Sequence, residues 1–464
     1  MDTIAAISTP IGQGGLGIIR ITGPKAFSVI PRIFLSKKHG KRFSAKKQLS
    51  HSIHFGFLIR NNKKIDEVLM SIFKAPNTFT GEDTLEFSCH GGTLVLENAL
   101  STILENDFIR LAEQGEFSKK AFLNGRIDLI QAEAVADIID ARNTLALDAA
   151  VNQLDGSLSK TINKHKDRLI SLLSLCEANI EFPEDDMEDN TKKSCYKNIT
   201  KNISSILKDL NDLLSTFNRG SLLKQGINVV IIGAPNTGKS TLLNSILGFE
   251  RAIVTSVAGT TRDFLKESLI IEGAVVNFID TAGIRQAKDK IEKKGISKTL
   301  QAIEKATIVL HIIDGSRGIL KNDHMVTGML SSVKHKFLVV NKLDLGFKNN
   351  IKKGILGYKR FISISAKDGK GMNSIMSELK KIIKKQNTLY LSGKAMITSI
   401  RHKNCIERCC KELEEIITDI RKNSSEEIIS HRIKSSLNYL DELSGATTPD
   451  DVLNAVFSKF CIGK

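Results

Sequence analysis

The sequence predicts a multidomain α/β protein in which a doubly wound, mostly parallel sheet is inserted into an all-α helical domain, after an α+β N-terminal domain. Residues 1–118 contain strand-like runs with some helix, and residues 119–225 have long helical periodicity. Residues 226–385 alternate apolar strands with helices. Because helical sequence returns in residues 386–464, we expect one helical domain interrupted by the α/β domain.

The composition is that of an ordinary globular protein, with 25% charged and 41% hydrophobic residues. We expect a cytoplasmic protein with no membrane segment, because no basic leader and no apolar run of about 18 residues is present. The 7 cysteines at irregular spacing indicate reduced thiols rather than a disulfide framework. The net charge of +16 is compatible with an RNA partner, although general richness in lysine explains it equally well.

The N-terminal domain is predicted to contain four strands. Three are the β-branched or apolar runs Thr3–Ile7, Gly17–Ile21 and His51–Arg60. In the fourth, Asp83–Cys89, apolar and polar residues alternate, which is typical of a half-buried strand.

The helical domain is predicted from apolar residues at i, i+3 and i+4. Ala132–Leu154 and Ile162–Ile180 follow this spacing without proline or glycine, so each is expected to be one long helix. Ser424–Glu427 has the form of a capping box at the start of a later helix. Thr448 is the expected N-cap of the last helix, with Pro449 in its first turn.

The inserted domain carries a phosphate-binding loop, Gly233–Ser240, which matches G-x-x-x-x-G-K-[ST]. The strand-like run Ile227–Ile232 precedes it and a helical run from Ser240 to Leu247 follows it, as this motif requires. Lys239 can reach the β- and γ-phosphates, and the Ser240 hydroxyl can bind Mg²⁺. We therefore expect a P-loop nucleotide-binding domain.

Three later motifs favour GTP over ATP. Asp280–Gly283 follows a strand and suits the Mg²⁺ shell and the γ-phosphate. Asn341–Asp344 follows another, and the Asp344 carboxylate can accept from guanine N1–H and the exocyclic amine, which adenine does not offer. Ser365–Lys367 follows a third and offers a backbone N–H to guanine O6. In this order the motifs predict a P-loop GTPase domain.

The catalytic residues of this domain depart from the Ras pattern. Gly259–Asp263 lies where a switch loop is expected, and Thr261 could complete the Mg²⁺ shell. Ile284 occupies the position of the glutamine that orients water, so either hydrolysis is slow or another group serves. Asn236 offers an additional oxygen near the phosphates that could hold a monovalent cation.

The chain resembles the MnmE/TrmE family of tRNA-modification GTPases over essentially its whole length. Besides the GTPase motifs, the resemblance rests on five segments. These are Gly12–Arg20, Gly115–Ser118, Ala121–Asn124, Asp128–Glu133 and the terminal Phe460–Lys464.

The resemblance implies an N-terminal tetrahydrofolate-binding and dimerisation domain, a helical domain and an inserted G domain. It implies a K⁺-dependent, Mg²⁺-dependent GTPase that acts as a homodimer with an FAD-dependent partner, in a heterotetramer. Their reaction adds a carboxymethylaminomethyl or aminomethyl group to C5 of the wobble uridine of certain tRNAs. The one-carbon donor is 5-formyltetrahydrofolate or a related folate.

The resemblance also assigns the residues of the GTP site. Glu292 is assigned to position the attacking water. Without the resemblance, its sequence context indicates only a charged residue on a helix surface. Lys239 is the second catalytic residue. The K⁺ ligands are Asn236, Thr255, Val257 and Thr260, and the Mg²⁺ ligands are Ser240 and Thr261. The full GTP-binding set is Asn236, Thr237, Gly238, Lys239, Ser240, Thr241, Thr255, Ser256, Val257, Ala258, Gly259, Thr260, Thr261, Asp280, Thr281, Ala282, Gly283, Asn341, Lys342, Asp344, Ser365, Ala366 and Lys367.

At the N-terminal domain the resemblance implies folate contacts from Arg20, Glu86, Arg126 and Lys464. Arg126 stands where the family often has lysine, which keeps the charge and changes the geometry. The C-terminal tail is expected in the active centre, with Cys461 as a candidate nucleophile; a structural cysteine is the alternative.

Three patterns suggest other chemistry and are interpreted otherwise. Gly12–Gly17 fits a dinucleotide fingerprint, but a strand-like run follows it, so a turn is expected. Cys461–Lys464 has the outline of a prenylation box without its aliphatic and terminal residues. Cys405, Cys409 and Cys410 lack the second ligand pair of a metal site, which favours core packing.

A second function class uses the same G domain: a GTP-switched ribosome-assembly factor with no modification chemistry. Such a protein is expected to carry an RNA-binding module such as a KH fold with its GXXG loop. No such module is recognisable in the sequence, whereas the glycine-rich N-terminal block and the Cys461–Lys464 tail favour tRNA modification.

Overall fold

The computed structural model describes residues 2–37, 43, 47–181, 189–249, 266–280, 299–331, 333–347, 355–358, 360–387 and 395–464. The chain forms two compact units. Unit 1 comprises Met1–Ile139, Gln153–Leu210 and Asn404–Lys464, and unit 2 comprises Asp140–Asn152 and Asn211–Lys403. The boundaries of the four segments expected from the sequence, 1–118, 119–225, 226–385 and 386–464, stay predictions.

The strands form two sheets, one in each unit. Those of the first are β1 (Thr3–Ile7), β2 (Leu16–Thr22), β3 (Phe34–Ser36), β4 (Ser52–Arg60), β5 (Lys63–Phe73), β6 (Thr84–His90) and β7 (Ile109–Leu111). Those of the second are β8 (Ile227–Ile232), β9 (Lys266–Ile271), β10 (Ala274–Asp280), β11 (Ile308–Asp314), β12 (Lys336–Asn341) and β13 (Phe361–Ser363).

The α-helices of the described part of the chain occur in both units. They are α1 (Ile30–Ile33), α2 (Thr93–Leu104), α3 (Glu116–Leu123), α4 (Leu129–Asp140), α5 (Thr144–Leu154), α6 (Ser157–Glu181), α7 (Asp189–Ser215), α8 (Phe217–Gln225), α9 (Lys239–Phe249), α10 (Lys321–Met329), α11 (Met372–Asn387), α12 (Ile400–Arg421), α13 (Glu426–Ser444) and α14 (Asp450–Phe457). Among these helices, none is both long and apolar enough to cross a membrane.

The sheet of unit 1 has the strand order β3-β4-β5-β6-β2-β1-β7. Its pairs are antiparallel except β1 with β7. Side chains of α2 pack with inward-facing residues of the sheet in one core, which includes Phe87 and Met70. The four strands predicted in this region are confirmed as β1, β2, β4 and β6.

Sequence analysis missed β5, which begins with the charged residues Lys63 and Lys64. It follows β4 through a two-residue turn at Asn61 and Asn62, both with positive φ (49° and 63°). Such a turn matches the twist of a β-hairpin, and asparagine tolerates this conformation. The first half of β5 is largely solvent-accessible, which explains why its hydrophobic pattern is weak.

Three local predictions for the helices are wrong. The expected helix Ala132–Leu154 is broken between α4 and α5, because the Asn143 side chain accepts a hydrogen bond from Ala146 N–H at 2.7 Å and so caps a new helix. The expected capping box at Ser424–Glu427 does not form. Ser425 directly precedes α13, and its side chain makes no capping hydrogen bond. The Thr448 hydroxyl donates to the Glu442 carbonyl at 2.9 Å instead of capping α14.

The sheet of unit 2 has the strand order β13-β12-β11-β8-β10-β9. All its pairs are parallel except β10 with the edge strand β9. The doubly wound, mostly parallel sheet predicted from the sequence is therefore confirmed. Strand order reverses at β8, and ligands of such sheets bind at the carboxyl ends of the strands beside this reversal.

Candidate functional site

The phosphate-binding loop runs directly from β8 into α9, so its N–H groups lie at a helix N-terminus. At Gly233 an added Cβ would lie 2.1 Å from the Ile312 carbonyl oxygen. At Gly238, where φ is +95°, it would lie 2.3 Å from Nδ2 of Asn341. Both positions therefore require glycine, and the loop is wrapped closely against β11 and the end of β12.

Lys239 is buried inside the curl of this loop. Its ammonium group donates to the carbonyl oxygens of Gly233 at 3.2 Å and Ala234 at 2.8 Å. The Thr237 hydroxyl donates to the same Ala234 oxygen at 2.9 Å. A cation and a helix N-terminus at one place suit the phosphates of a nucleotide.

Ser240 and Asp280 meet because β8 and β10 are parallel neighbours. The Ser240 hydroxyl donates to Oδ2 of Asp280 at 2.8 Å, and the carboxylate is buried. A hydroxyl and a carboxylate side by side, next to a phosphate loop, are the hard oxygen ligands that Mg²⁺ takes. The two predicted residues therefore fit this ion.

Asn341 joins the loops that are predicted to recognise the base to the phosphate loop. Its side-chain nitrogen donates to the Thr237 carbonyl at 2.9 Å, and its side-chain oxygen accepts from Ala366 N–H at 3.0 Å. The amide is buried. Sequence analysis placed Asn341 and Ala366 in the same site, and this contact shows what Asn341 does there.

Asp344 is oriented by Ser365, whose hydroxyl donates to Oδ1 of the carboxylate at 2.8 Å. The backbone N–H of Leu343 also bonds to the carbonyl of Ile364, at 3.0 Å. The two loops after β12 and β13 thus hold one another, with a carboxylate acceptor between them. This arrangement suits the two N–H donors on one edge of guanine.

Asp314, at the end of β11, was not predicted from the sequence to lie at the site, but it contacts the predicted residue Lys342. Its carboxylate receives a hydrogen bond from the Lys342 ammonium at 2.6 Å, and Lys342 has a positive φ of 67°. Burial acts to raise the pKa of Asp314, but hydrogen bonds from Lys342 and Ser316 outweigh it, so the pKa lies below its ordinary value. The sequence signal that could have identified Asp314 is its position directly after the strand-like run of residues 308–313.

A second cluster of predicted residues lies in unit 1. Arg20 and Glu86 face each other across β2 and β6, with Nε and Oε1 2.7 Å apart. The guanidinium lies 5.9 Å from the Phe79 ring centre and 5.7 Å from that of Phe117. Within the described residues, its terminal nitrogens have no hydrogen-bond partner. A half-buried fork of donors close to two rings suits a planar ligand with carboxylate or carbonyl oxygens.

The C-terminal tail is attached beside this cluster. The Lys464 carbonyl accepts from Phe117 N–H at 3.2 Å, and the Gly463 carbonyl accepts from the Ser8 hydroxyl at 3.2 Å. At Gly463, where φ is +94°, a Cβ would lie 2.4 Å from the Ile7 carbonyl oxygen. The tail therefore lies against β1 and α3, close to the ring that contacts Arg20, while Cys461 is exposed.

Family models match nearly the whole chain. The model described as the MnmE helical domain matches residues 129–461, and that described as the GTP-binding protein TrmE N-terminus matches residues 3–126. The tRNA modification GTPase MnmE of Acetivibrio thermocellus is 41% identical over 100% of this chain and 99% of its own. That of Clostridioides difficile is 38% identical over the same shares.

The chain belongs to the MnmE/TrmE family. The resemblance found in the sequence, and with it the prediction of a GTPase of this family, is confirmed. Among solved structures, Aquifex aeolicus Era bound to GDP and AlF4⁻ is 28% identical with a TM-score of 0.28, over 40% of this chain and 66% of that chain. The G domain of T. maritima FeoB has a TM-score of 0.25 over 36% of this chain and 99% of that chain.

Of the remaining predicted GTP-site residues, Asn236 is exposed with a positive φ of 63°, Thr241 lies in the first turn of α9 and Lys367 is exposed after β13. Several others lie outside the described residues. They are Thr255, Ser256, Val257, Ala258, Gly259, Thr260, Thr261, Thr281, Ala282, Gly283 and Glu292, together with Ile284.

The cysteines of α12 are packed in the interior of the chain. Cys405, Cys409 and Cys410 are buried, and no group of metal-ligating side chains occurs in the part of the chain that the structure describes. Burial raises the pKa of Cys410 to about 12, and it also raises that of Cys409. The Cys409 and Cys410 thiols therefore stay neutral, and the expectation of core packing agrees with the burial of all three cysteines.

Proposed function

We propose that this family member is a K⁺-dependent GTPase whose hydrolysis drives one step of wobble-uridine modification in certain tRNAs, in the cytoplasm. The observation that supports it most directly is the Asn341 amide, which joins the phosphate loop to the guanine-recognising loop. One buried side chain would then hold the loops that contact the phosphates and the base of a bound GTP at a fixed distance from each other. Family membership supports the tRNA substrate.

At the GTP site, the residues of this chain act by binding and orientation. Lys239 and the loop N–H groups hold the phosphates, and Asp344, held by Ser365, accepts from the guanine edge. Ser240 and Asp280 hold Mg²⁺, which neutralises charge on the phosphates when bound.

We assign activation of hydrolysis to K⁺ and a glutamate in place of the missing glutamine. In this proposal Asn236, Thr255, Val257 and Thr260 would hold K⁺, and Thr261 would complete the Mg²⁺ shell. Glu292 orients the water. The positive φ of Asn236 turns the loop at this residue and supports a special role for it.

The modification half of the proposal concerns unit 1. Arg20, Glu86, Arg126 and Lys464 are assigned to 5-formyltetrahydrofolate or a related folate, and Cys461 is the candidate nucleophile. The open donors of Arg20 beside two aromatic rings support this assignment. We further propose a homodimer that joins an FAD-dependent partner in a heterotetramer and adds the aminomethyl-type group.

Mass analysis of tRNA nucleosides from a deletion strain tests the modification half. Loss of the modified wobble uridine, with its return on complementation, is the expected result. Unchanged wobble uridines, together with accumulating ribosome precursors, would favour the alternative of a GTP-switched ribosome-assembly factor.

Replacing Na⁺ by K⁺ at constant ionic strength tests the hydrolytic half. GTP turnover by the full chain is expected to rise in K⁺, and the Asn236→Ala variant is expected to lose this rise while retaining GTP affinity. Equal turnover of the unmodified protein in both salts would remove K⁺ from the mechanism.

A further inference from the structure

The loop of residues 74–83 joins β5 to β6 and carries Phe79, which is 38% exposed. The Phe79 ring lies 5.9 Å from the guanidinium carbon of Arg20. Since the Phe79 ring is one of two that contact Arg20, the position of this loop sets how closely an aromatic ring lies to the candidate ligand site.

Three side chains from a single short segment hold this loop, and we name Lys120, Asn124 and Arg126 the clamp. The Asn124 side-chain nitrogen donates to the Thr80 carbonyl at 2.7 Å. The Arg126 Nε donates to the Thr78 carbonyl at 3.1 Å. The two carbonyls belong to the residues on either side of Phe79, so the backbone that carries its ring is tied on both sides.

Lys120 provides the third attachment. Its ammonium group is buried and donates to both carboxylate oxygens of Glu82, at 2.9 and 3.2 Å, and to the Asp2 carbonyl at 2.9 Å. A buried ion pair of this kind resists separation, because either charge alone would be left desolvated.

The geometry of the clamp comes from the end of α3. Gly125 has a positive φ of 69°, and Arg126 N–H bonds back to the Ala121 carbonyl at 2.9 Å. This reversal returns Arg126 toward the side of the helix from which Lys120 and Asn124 reach the loop. The three donors therefore act on one loop, although they lie close together in the sequence.

We propose that the clamp positions Phe79 beside Arg20 and that ligand affinity at this site depends on it. This inference rests on the proposed folate site and gives Arg126 a positioning role in addition to its proposed ligand contact, since its Nε is bonded to Thr78. A loop released from the clamp must be ordered again when ligand binds, and that loss of entropy weakens binding.

The chain contains no tryptophan, so the Phe79→Trp substitution introduces a single indole, the reporter, whose fluorescence follows loop position. In that background, Asn124→Ala and Arg126→Met each remove one attachment, and Arg126→Lys is the conservative variant. Lys119→Met is the matched control, because Lys119 lies on the same helix, is not fully buried and bonds to Asn454 instead. Affinity for 5-formyltetrahydrofolate is measured separately, by calorimetry on full-length variants that retain Phe79.

Without ligand, Asn124→Ala and Arg126→Met are expected to shift the emission of the reporter to the red and to increase its quenching by acrylamide. The same substitutions are expected to weaken 5-formyltetrahydrofolate binding about tenfold, as the loss of one such hydrogen bond predicts. Lys119→Met is expected to match the parent within about twofold in both measurements. Arg126→Lys, which keeps a donor for the Thr78 carbonyl, is expected to have a smaller effect than Arg126→Met in both. A circular dichroism spectrum and a thermal unfolding transition that match those of the parent verify that each variant is folded.

Two results would overturn the inference. If Arg126→Met weakens ligand binding while the reporter is unaffected, Arg126 acts only by direct contact with the ligand. If the reporter becomes mobile in Asn124→Ala while affinity is unchanged, loop position does not matter to the site. If the unmodified protein binds no 5-formyltetrahydrofolate, the folate part of the proposed function fails, and the reporter alone still decides whether the clamp holds the loop.

Discussion

The side-chain nitrogen of Asn341 lies 2.9 Å from the carbonyl oxygen of Thr237, which ties the end of β12 to the phosphate loop. Asn341→Ala removes this bond and the one from Ala366, each worth about 1 kcal/mol. We expect affinity for a fluorescent GTP analogue to fall at least about tenfold. The control is Asn322→Ala, an exposed asparagine of α10 in the same unit. Binding by Asn341→Ala within about twofold of the control would contradict a bridging role.

Two glycine-to-alanine substitutions separate a steric requirement from a general effect of alanine. Gly238→Ala places a Cβ 2.3 Å from Asn341 at a φ of +95°, so nucleotide binding is expected to be lost. Gly248 lies in α9 with no atom within 4 Å of its added Cβ. Gly248→Ala is expected to stabilise the protein by about 0.5–1 kcal/mol and to leave nucleotide affinity unchanged. Nucleotide titration measures the affinity of each variant, and thermal unfolding measures its stability. Equal nucleotide affinities of Gly238→Ala and Gly248→Ala would refute the steric argument.

Base selection is expected to depend on the Asp344 carboxylate that Ser365 orients. Asp344→Asn replaces one acceptor oxygen by a donor, which opposes guanine and suits the carbonyl at the same position of xanthine. We expect the GTP-to-XTP affinity ratio to fall by at least about a hundredfold. Competition between the two nucleotides for one labelled probe measures it, with Asp368→Asn as the control on an exposed carboxylate nearby. An unchanged ratio would remove Asp344 from base recognition.

The stability of unit 2 is expected to depend on the charge state of His311. Burial lowers the pKa of this side chain to about 4, from an ordinary value of 6.5. The unfolded chain therefore takes up a proton that the folded chain excludes, and stability falls by about 3 kcal/mol as the pH falls from 6.5 to 4.

GTP is expected to raise the unfolding temperature of unit 2, which identifies the transition of this unit in a calorimetric scan. The pH dependence of that transition measures the effect of His311. His311→Phe is expected to flatten the dependence between pH 6.5 and 4, whereas His324→Phe, at an exposed position of α10, is expected to retain it. Parallel pH profiles for both variants would show that other groups carry the effect.

Residues that act through local chemistry were predictable from the sequence. The phosphate loop was found from one short motif, and each GTPase motif was placed after a strand that the structure contains. Local patterns failed where the deciding contact was specific. The Asn143 cap divides a helix whose apolar spacing is continuous, and β5 pairs through its backbone although its first half is charged.

The sequence by itself determined the family, the nucleotide-binding motifs and the strands that precede them, because these depend on residue type at short spacing. Only the tertiary structure decided which motifs touch. It placed Asn341 on the phosphate loop, joined Lys464 to Phe117 beside Arg20, and tied both neighbours of Phe79 to residues 124 and 126. Such contacts join residues far apart in the chain, so they depend on how strands and loops pack rather than on any local pattern.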